Sequence, residues 1–286
     1  MHFPRHWIRL RQDLEAGVEP SELEAWGWSD VSADDAARVA GERLARAVDA
    51  ARSGTLKTSG PNWYYPRTPL RENIIRQVGD DALVTRNRYG ALVLNSPSLF
   101  IADIDLPEPE SPPTSVFGRL FGRKPVAPPA DPADEAILPV QAYAATNPNA
   151  GVRVHRTYAG LRVIVTGVDL PAGSPESRAL LEQFRSDPLY VDLAASYASY
   201  RARLSPKPWR CAHPAAGSPW IMSGQPVDHR SFAPPPQWIA SYEKASAPYA
   251  VCRLIAKFGP TPSTAEAAVI EDHDRSCKVD SALPLA

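Results

Sequence analysis

Residues 98–113 read SLFIADIDLPEPESPP. The apolar run Leu99 to Ala102 leads into Asp103, Ile104 and Asp105, and then dissolves into prolines and glutamates. Such a run, bounded by Ser-Pro on one side and Pro-rich text on the other, predicts a buried strand. Upstream, ALVTRN (residues 82–87) and GALVLN (residues 90–95) are equally short and β-rich, with Gly or Ser-Pro turns between them. Together the segments predict a meander of neighbouring strands.

Downstream, residues 107–134 are too rich in proline and polar groups to contribute to a packed core. They are expected to form a disordered, flexible insertion. Its centre, VFGRLFGRK, is a loose linker patch or a docking motif for a protein partner. Residues 1–106 and 135–286 then form one discontinuous α/β (α+β) domain, with a mostly antiparallel sheet flanked by helices.

Helix signals frame this sheet. In SADDAARVAGERLARAVDAARSG, Ser32 can cap, Asp34 and Asp35 occupy the first turn, and Gly54 supplies the stop. Trp7, Trp26 and Trp28, ahead of it, read as packing aromatics. EAILPVQAYAAT predicts a helix despite Pro139, and another starts at Ser174 with Pro175 in its first turn. VRVHRT and LRVIVTG predict two strands around the tight turn YAG. Residues 187–199 read as helix or strand, and YRARL as strand. The segments PQWIASYEKA, YAVCRLIAKFG and TAEAAVIEDHDR predict three closing helices. No internal repeat is visible.

Composition narrows the function classes. A net charge of −1 gives no global push toward nucleic acid or membrane, so any polyanion site must be a local patch. No apolar run is long enough to span a bilayer, and the N-terminal segment carries charges where a signal peptide needs its apolar region. The expectation is a cytoplasmic protein with no membrane partner. Cys211, Cys252 and Cys277 are odd in number and widely spaced, which reads as ordinary thiols rather than a disulfide framework. Cys211 and His213 make only a pair, short of a zinc module.

Three constellations carry chemistry. Residues two apart in a strand share a face, so Asp103 and Asp105 lie side by side and repel. A hard divalent ion relieves that repulsion and binds with one or two carboxylates plus substrate phosphates. The third carboxylate is Asp192 or Asp187. The alternative is that Asp-Ile-Asp simply ends an edge strand in water. Second, the hairpin RVHRTYAGLRVIVT places Thr157 and Gly160 at its turn among Arg153, His155, Arg156 and Arg162. Planar guanidinium forks and turn amides suit phosphates, although a solvated basic hairpin would look the same. Third, YRARLSPKPWR sets Arg201 and Arg203 on one strand face and follows them with Lys207 and Arg210. Tyr197, Tyr200 and Trp209 interleave, which suits either phosphate and base contacts or arginines laid over aromatics. Asn62, Trp63 and Tyr64 form a packed aromatic loop or template contacts.

In order along the chain these segments resemble the archaeo-eukaryotic primase superfamily, including its primase-polymerase branch. FIADID resembles the family's apolar strand ending in Asp-x-Asp. TYAGLR resembles its small-polar, Gly, x, His hairpin, with Arg162 where the histidine is expected. VDLAASYASYRARLSPK resembles its third element, with Asp192, Arg203 and Lys207. The similarity spans about residues 98–210. It implies Asp103, Asp105 and Asp192 as catalytic residues holding Mg2+ or Mn2+. Thr157, Gly160, Arg162, Arg203 and Lys207 would then bind a nucleoside triphosphate, with nucleic acid as the second partner. Two other readings share these residues: a metal-dependent nuclease or phosphohydrolase, and a non-catalytic adaptor that binds nucleic acid or protein.

Overall fold

The computed structural model describes residues 1–56, 68–107, 131–217, 219 and 221–286. Asn62, Trp63 and Tyr64 lie outside the described residues, as do residues 108–130 of the insertion with its VFGRLFGRK centre.

The chain opens with an antiparallel hairpin, β1 (His6–Asp13) and β2 (Glu22–Ser29), which the sequence reading left unassigned. Helix α1 (Ala33–Arg52) packs on it through Ala36 and Ala40. Gly27 permits this closeness, because a Cβ there would lie 2.0 Å from the Ala36 carbonyl oxygen. Ser32 caps α1 as expected, accepting from the Asp35 amide at 3.1 Å. Trp7 is buried against Ile221 and Val227, with Trp26, Trp28 and Phe232 around it.

Strands β3 (Asn73–Val78), β4 (Ala82–Arg86), β5 (Leu92–Ser96) and β6 (Phe100–Asp105) follow. The expected meander holds only through β5. β6 leaves it and joins a different sheet, pairing with β8. The Ser-Pro-Ser turn at 96–98 carries the chain out, and the Ser96 hydroxyl pins the exit by accepting from the Leu99 amide at 3.0 Å.

Asp131 caps a short helix, α2 (Pro132–Ala136), so the last residues assigned to the insertion are ordered helix start. α3 (Leu138–Thr146) follows, and Pro139 sits in its first turn, where its missing N–H costs no hydrogen bond. The predicted hairpin is β7 (Gly151–Thr157) and β8 (Gly160–Thr166). Helices α4 (Pro175–Gln183) and α5 (Pro188–Tyr197) lead to β9 (Tyr200–Arg203). α6 (Pro236–Ser246) and α7 (Thr264–Cys277) are helices as read, and α7 opens on a Ser263/Glu266 capping box.

Between them YAVCRLIAKFG is not helix but strand β10 (Cys252–Phe258), paired with β7. Its burial alternates along the strand, so the two-residue period of an edge strand outweighs the helical propensity of its Leu, Ala and Lys.

Two four-stranded antiparallel sheets result, ordered β3-β4-β5-β9 and β10-β7-β8-β6. The mixed architecture is α+β, as expected. Phe100, Ala102 and Ile104 of β6 share one face with Val165, Val163 and Leu161 of β8. These residues are buried in the main core with Leu181, Phe184 and Val191 of the helical segments. The opposite face of the same strands is the polar one. Among the described residues no helix is long and apolar enough to cross a membrane.

Candidate functional site

Sheet register builds the polar face. Asp103 of β6 stands opposite Arg162 of β8, and Arg162 stands opposite His155 of β7, so an acid, a base and an imidazole form one cross-sheet row. Asp105 pairs with Gly160, where a Cβ would lie 2.0 Å from the Ile104 carbonyl oxygen. The glycine lets β8 approach the end of β6.

Arg162 is buried, and its Nη1 donates to the Arg203 carbonyl oxygen at 2.9 Å, tying β8 to β9 of the other sheet. The same nitrogen lies 3.0 Å from His273 Nε2, while His273 Nδ1 faces Asp274 Oδ1 at 2.8 Å. A guanidinium can only donate, so Nε2 accepts and Nδ1 carries the proton toward Asp274. Burial works against the Arg162 charge, but Cys252, Cys277 and Asp103 outweigh it and raise its pKa. Its Nε is buried with no hydrogen-bond partner.

A cavity of about 430 Å³ opens where β6 and β8 meet β9 and α5, within the range of small-molecule sites. Asp103, Arg162 and Arg203 line it, with Tyr190, Arg201 and Trp26. Arg201 is already neutralised, because its Nη2 donates to both Glu72 oxygens at 2.7 and 2.9 Å. Arg203 has no such partner among the described residues. Burial lowers its pKa and like charge from Arg162 adds to this, while Asp103 and Asp105 oppose both.

Asp105, Asp187, Lys207 and Arg210 neighbour this lining rather than forming it. Burial raises the Asp105 pKa first, repulsion from Asp103 and Asp187 adds to it, and Lys207 and Arg203 offset part of it. Lys207 is pulled down by burial and by Arg203 and Arg210, with Asp105 opposing. The Arg210 guanidinium lies 4.1 Å above the Tyr158 ring, so the basic loop after β9 faces the β7–β8 turn. Among the described residues the carboxylates of Asp103 and Asp105 have no hydrogen-bond or ion-pair partner.

Of the two candidates for the third carboxylate, Asp187 is the one that lies next to β6. The Asp187 amide donates to the Asp103 carbonyl oxygen at 3.0 Å, and its side chain caps α5 through the Leu189 and Tyr190 amides. Asp192 is one turn further along α5, exposed, and held by Arg178 at 3.0 Å. The period of α5 explains this: Tyr190, Val191 and Ala194 take the buried face and leave Asp192 outside. Thr157 is buried opposite Cys252 on β10 and is not part of the cavity lining. Asp187-Pro188 is a helix-start signal that could have decided between the two aspartates.

Two groups among the described residues bring three ligand atoms within 4.8 Å, and neither contains Asp103: Cys252/His273/Cys277 and His155/His273/Asp274. Sequence analysis placed His155 in the phosphate-suited hairpin and read Cys252 and Cys277 as ordinary thiols, and it gave His273 and Asp274 no role. Cys211 and His213 belong to neither group; His213 Nε2 meets the Ser241 hydroxyl at 2.9 Å.

No known protein family, curated protein or solved structure matches the chain. The functional reading therefore stands on this geometry and on the motif resemblance.

Proposed function

We propose that the cleft binds a divalent cation with a nucleoside triphosphate and transfers the nucleotidyl group to a nucleic-acid hydroxyl, in the manner of a divergent primase-polymerase. The observation that carries this reading is the cross-strand pair Asp103–Arg162, with Asp105 next along β6 and Arg203 and Lys207 near enough to act on it, while neither carboxylate has a hydrogen-bond or ion-pair partner among the described residues. Among the described residues these carboxylates and cations influence one another without forming an ion pair, and a metal–polyphosphate complements both sets.

The residues fit magnesium or manganese. Asp103 and Asp105 offer the one or two carboxylates such an ion takes when phosphates complete its shell, and their mutual repulsion favours occupancy. When bound, the ion would polarise the phosphoryl group and lower the pKa of the attacking hydroxyl. Arg162, anchored by Arg203 and His273, presents a fixed guanidinium to the phosphates. Lys207 and Arg210 reach the same place from a loop and neutralise charge on the departing pyrophosphate. Asp187 holds α5 against β6 and so fixes the backbone at Asp103.

The test is incorporation of labelled nucleotides into a primed or unprimed strand with manganese or magnesium. The expected result is metal-dependent extension by the parent and loss of at least about a hundredfold in Asp103→Asn, since removal of a transition-state electrostatic contact costs on that order. Shortening of a pre-labelled strand without extension would replace this reading with nuclease chemistry, and triphosphate binding indifferent to metal would remove the cation from it.

A further inference from the structure

The second cluster lies behind Arg162 and has no part in the proposed phosphate chemistry. Cys252 opens β10, and His273 and Cys277 stand four residues apart on α7, the spacing that puts two side chains on one helix face. All three side chains are buried, and their three ligand atoms lie within 4.8 Å of one another. We propose that Cys252 Sγ, His273 Nε2 and Cys277 Sγ form a structural zinc site that fastens the last strand to the last helix.

The donor set is the kind that zinc selects: two thiolates and an imidazole, with no hard oxygen cage for magnesium or calcium. The geometry is close to the required one. Zn–S bonds of about 2.3 Å and a Zn–N bond of about 2.0–2.1 Å at tetrahedral angles place sulfur and nitrogen about 3.6 Å apart and the sulfurs about 3.8 Å apart. Cys252 Sγ and His273 Nε2 are 4.0 Å apart, so side-chain shifts of a few tenths of an ångström close that edge.

The correct imidazole nitrogen is presented. Asp274 Oδ1 takes the Nδ1 proton at 2.8 Å, which leaves the Nε2 lone pair facing the sulfurs. A carboxylate behind a ligating histidine fixes its tautomer and raises its basicity. The second three-donor group is thereby explained as support, because the Asp274 oxygen already serves His273 and lies 3.4 Å from His155 Nε2.

Charge balances as well. Zinc with two thiolates and a neutral imidazole is electrically neutral, so the ion adds no net charge beside Arg162. In its absence Arg162 Nη1 donates to Nε2; the ion displaces that donor, and Cys277 Sγ, 3.8 Å from the same nitrogen, receives it. The three side chains leave a fourth position for a solvent ligand, beside the Arg203 carbonyl oxygen that lies 3.5 Å from Cys277 Sγ. A buried site filled as β10 and α7 close couples metal affinity to folding. This inference is independent of the nucleotidyl-transfer reading.

The full chain, purified under reducing conditions, should retain about one zinc by elemental analysis. After chelation, cobalt(II) should restore a near-ultraviolet thiolate-to-cobalt charge-transfer band and the intense visible bands of a tetrahedral site. Cys211→Ser should keep both signals, and Cys252→Ala and Cys277→Ala should each lose them. Chelation alone should lower the melting temperature of the parent, a readout that needs no variant to fold. A parent with no bound zinc, no charge-transfer band and no chelator effect would overturn the site. So would the band surviving in both alanine variants, or a Cys252–Cys277 disulfide found in the freshly purified chain.

Discussion

Asp105 sits at a strand end with an exposed edge, yet burial and two neighbouring carboxylates raise its pKa. A carboxyl whose folded pKa exceeds its unfolded value of about 4 binds protons more tightly in the native state. Its favourable contribution is complete below the unfolded pKa and is lost as pH rises through the raised folded one. In the metal-free protein, Asp105→Asn should therefore melt at or slightly above the parent at neutral pH. Solvent screening at the exposed edge keeps the gain under about 1 kcal/mol, and the difference should vanish as the buffer is taken toward pH 4. Manganese should reverse the order by raising the parent's melting temperature more than the variant's. Equal shifts in both proteins would make the aspartates ordinary surface residues. Lys207 supplies the complementary test, since burial, Arg203 and Arg210 lower its pKa. Affinity for a fluorescent triphosphate should decline on the alkaline side, and Lys207→Arg should move that decline upward. Lys207→Ala should weaken binding roughly tenfold to a hundredfold, the worth of a charge-assisted contact. At this scale the sequence was informative where the strand period alone sets a neighbour, as for Asp103 and Asp105. It could not separate Asp187, which caps α5 next to Asp103, from Asp192, which the motif match took and which lies on the exposed side of α5.

Among the elements, the β6–β8 pair is the most demanding, because Gly160 lies where a methyl group would meet the Ile104 carbonyl oxygen at 2.0 Å. Gly160→Ala must push β8 away from the end that carries Asp105. The expected cost is about 1–3 kcal/mol of stability, read by denaturant titration, together with weaker metal-dependent triphosphate binding. Unchanged stability would show that the strands part without penalty. The strand sequences themselves were easy to read, but their partners were not. ALVTRN and GALVLN pair as neighbours, whereas LFIADIDL crosses to the other sheet, a choice made by long-range pairing with LRVIVTG that no local pattern encodes. In YAVCRLIAKFG, apolar residues fit both periods, and pairing with β7 decides for strand. The N-terminal strand HWIRLRQD alternates apolar and charged residues over Ile8 to Arg11, a strand signal that went unused.

Across the molecule, Asp274 is the point where distant parts join. From α7 it holds Arg153 of β7 at 2.5 Å and His273 at 2.8 Å, and through His273 it steadies Arg162, which is bonded to β9. Burial opposes its charge, but hydrogen bonds from His155 and His273 hold its carboxyl well below the usual range. A depressed carboxyl contributes stability that is full above the unfolded pKa of about 4 and is lost as pH falls through the folded value. Asp274→Asn should cost about 3 kcal/mol at neutral pH, the lower end for breaking a buried pair, and should flatten the acid limb of the stability profile. A parent-like acid limb in the variant would remove Asp274 from this role.

The first strand has a long wait during synthesis. Trp7 exchanges backbone hydrogen bonds with Val227 at 2.8 and 2.9 Å, and the Arg11 amide reaches the Ser223 hydroxyl across 212 residues of chain. At ribosomal speeds of about 5–20 residues per second, roughly 10–40 s separate the emergence of β1 from that of its closing partner. For that interval the Trp7 face, with Trp26 and Trp28, lacks Ile221, Val227 and Phe232, while α1 packs on the other face of the hairpin through Ile8. A nascent chain halted before residue 221 thus presents a tryptophan-rich surface that chaperones can hold, and synthesis of residues 221–232 is what covers it.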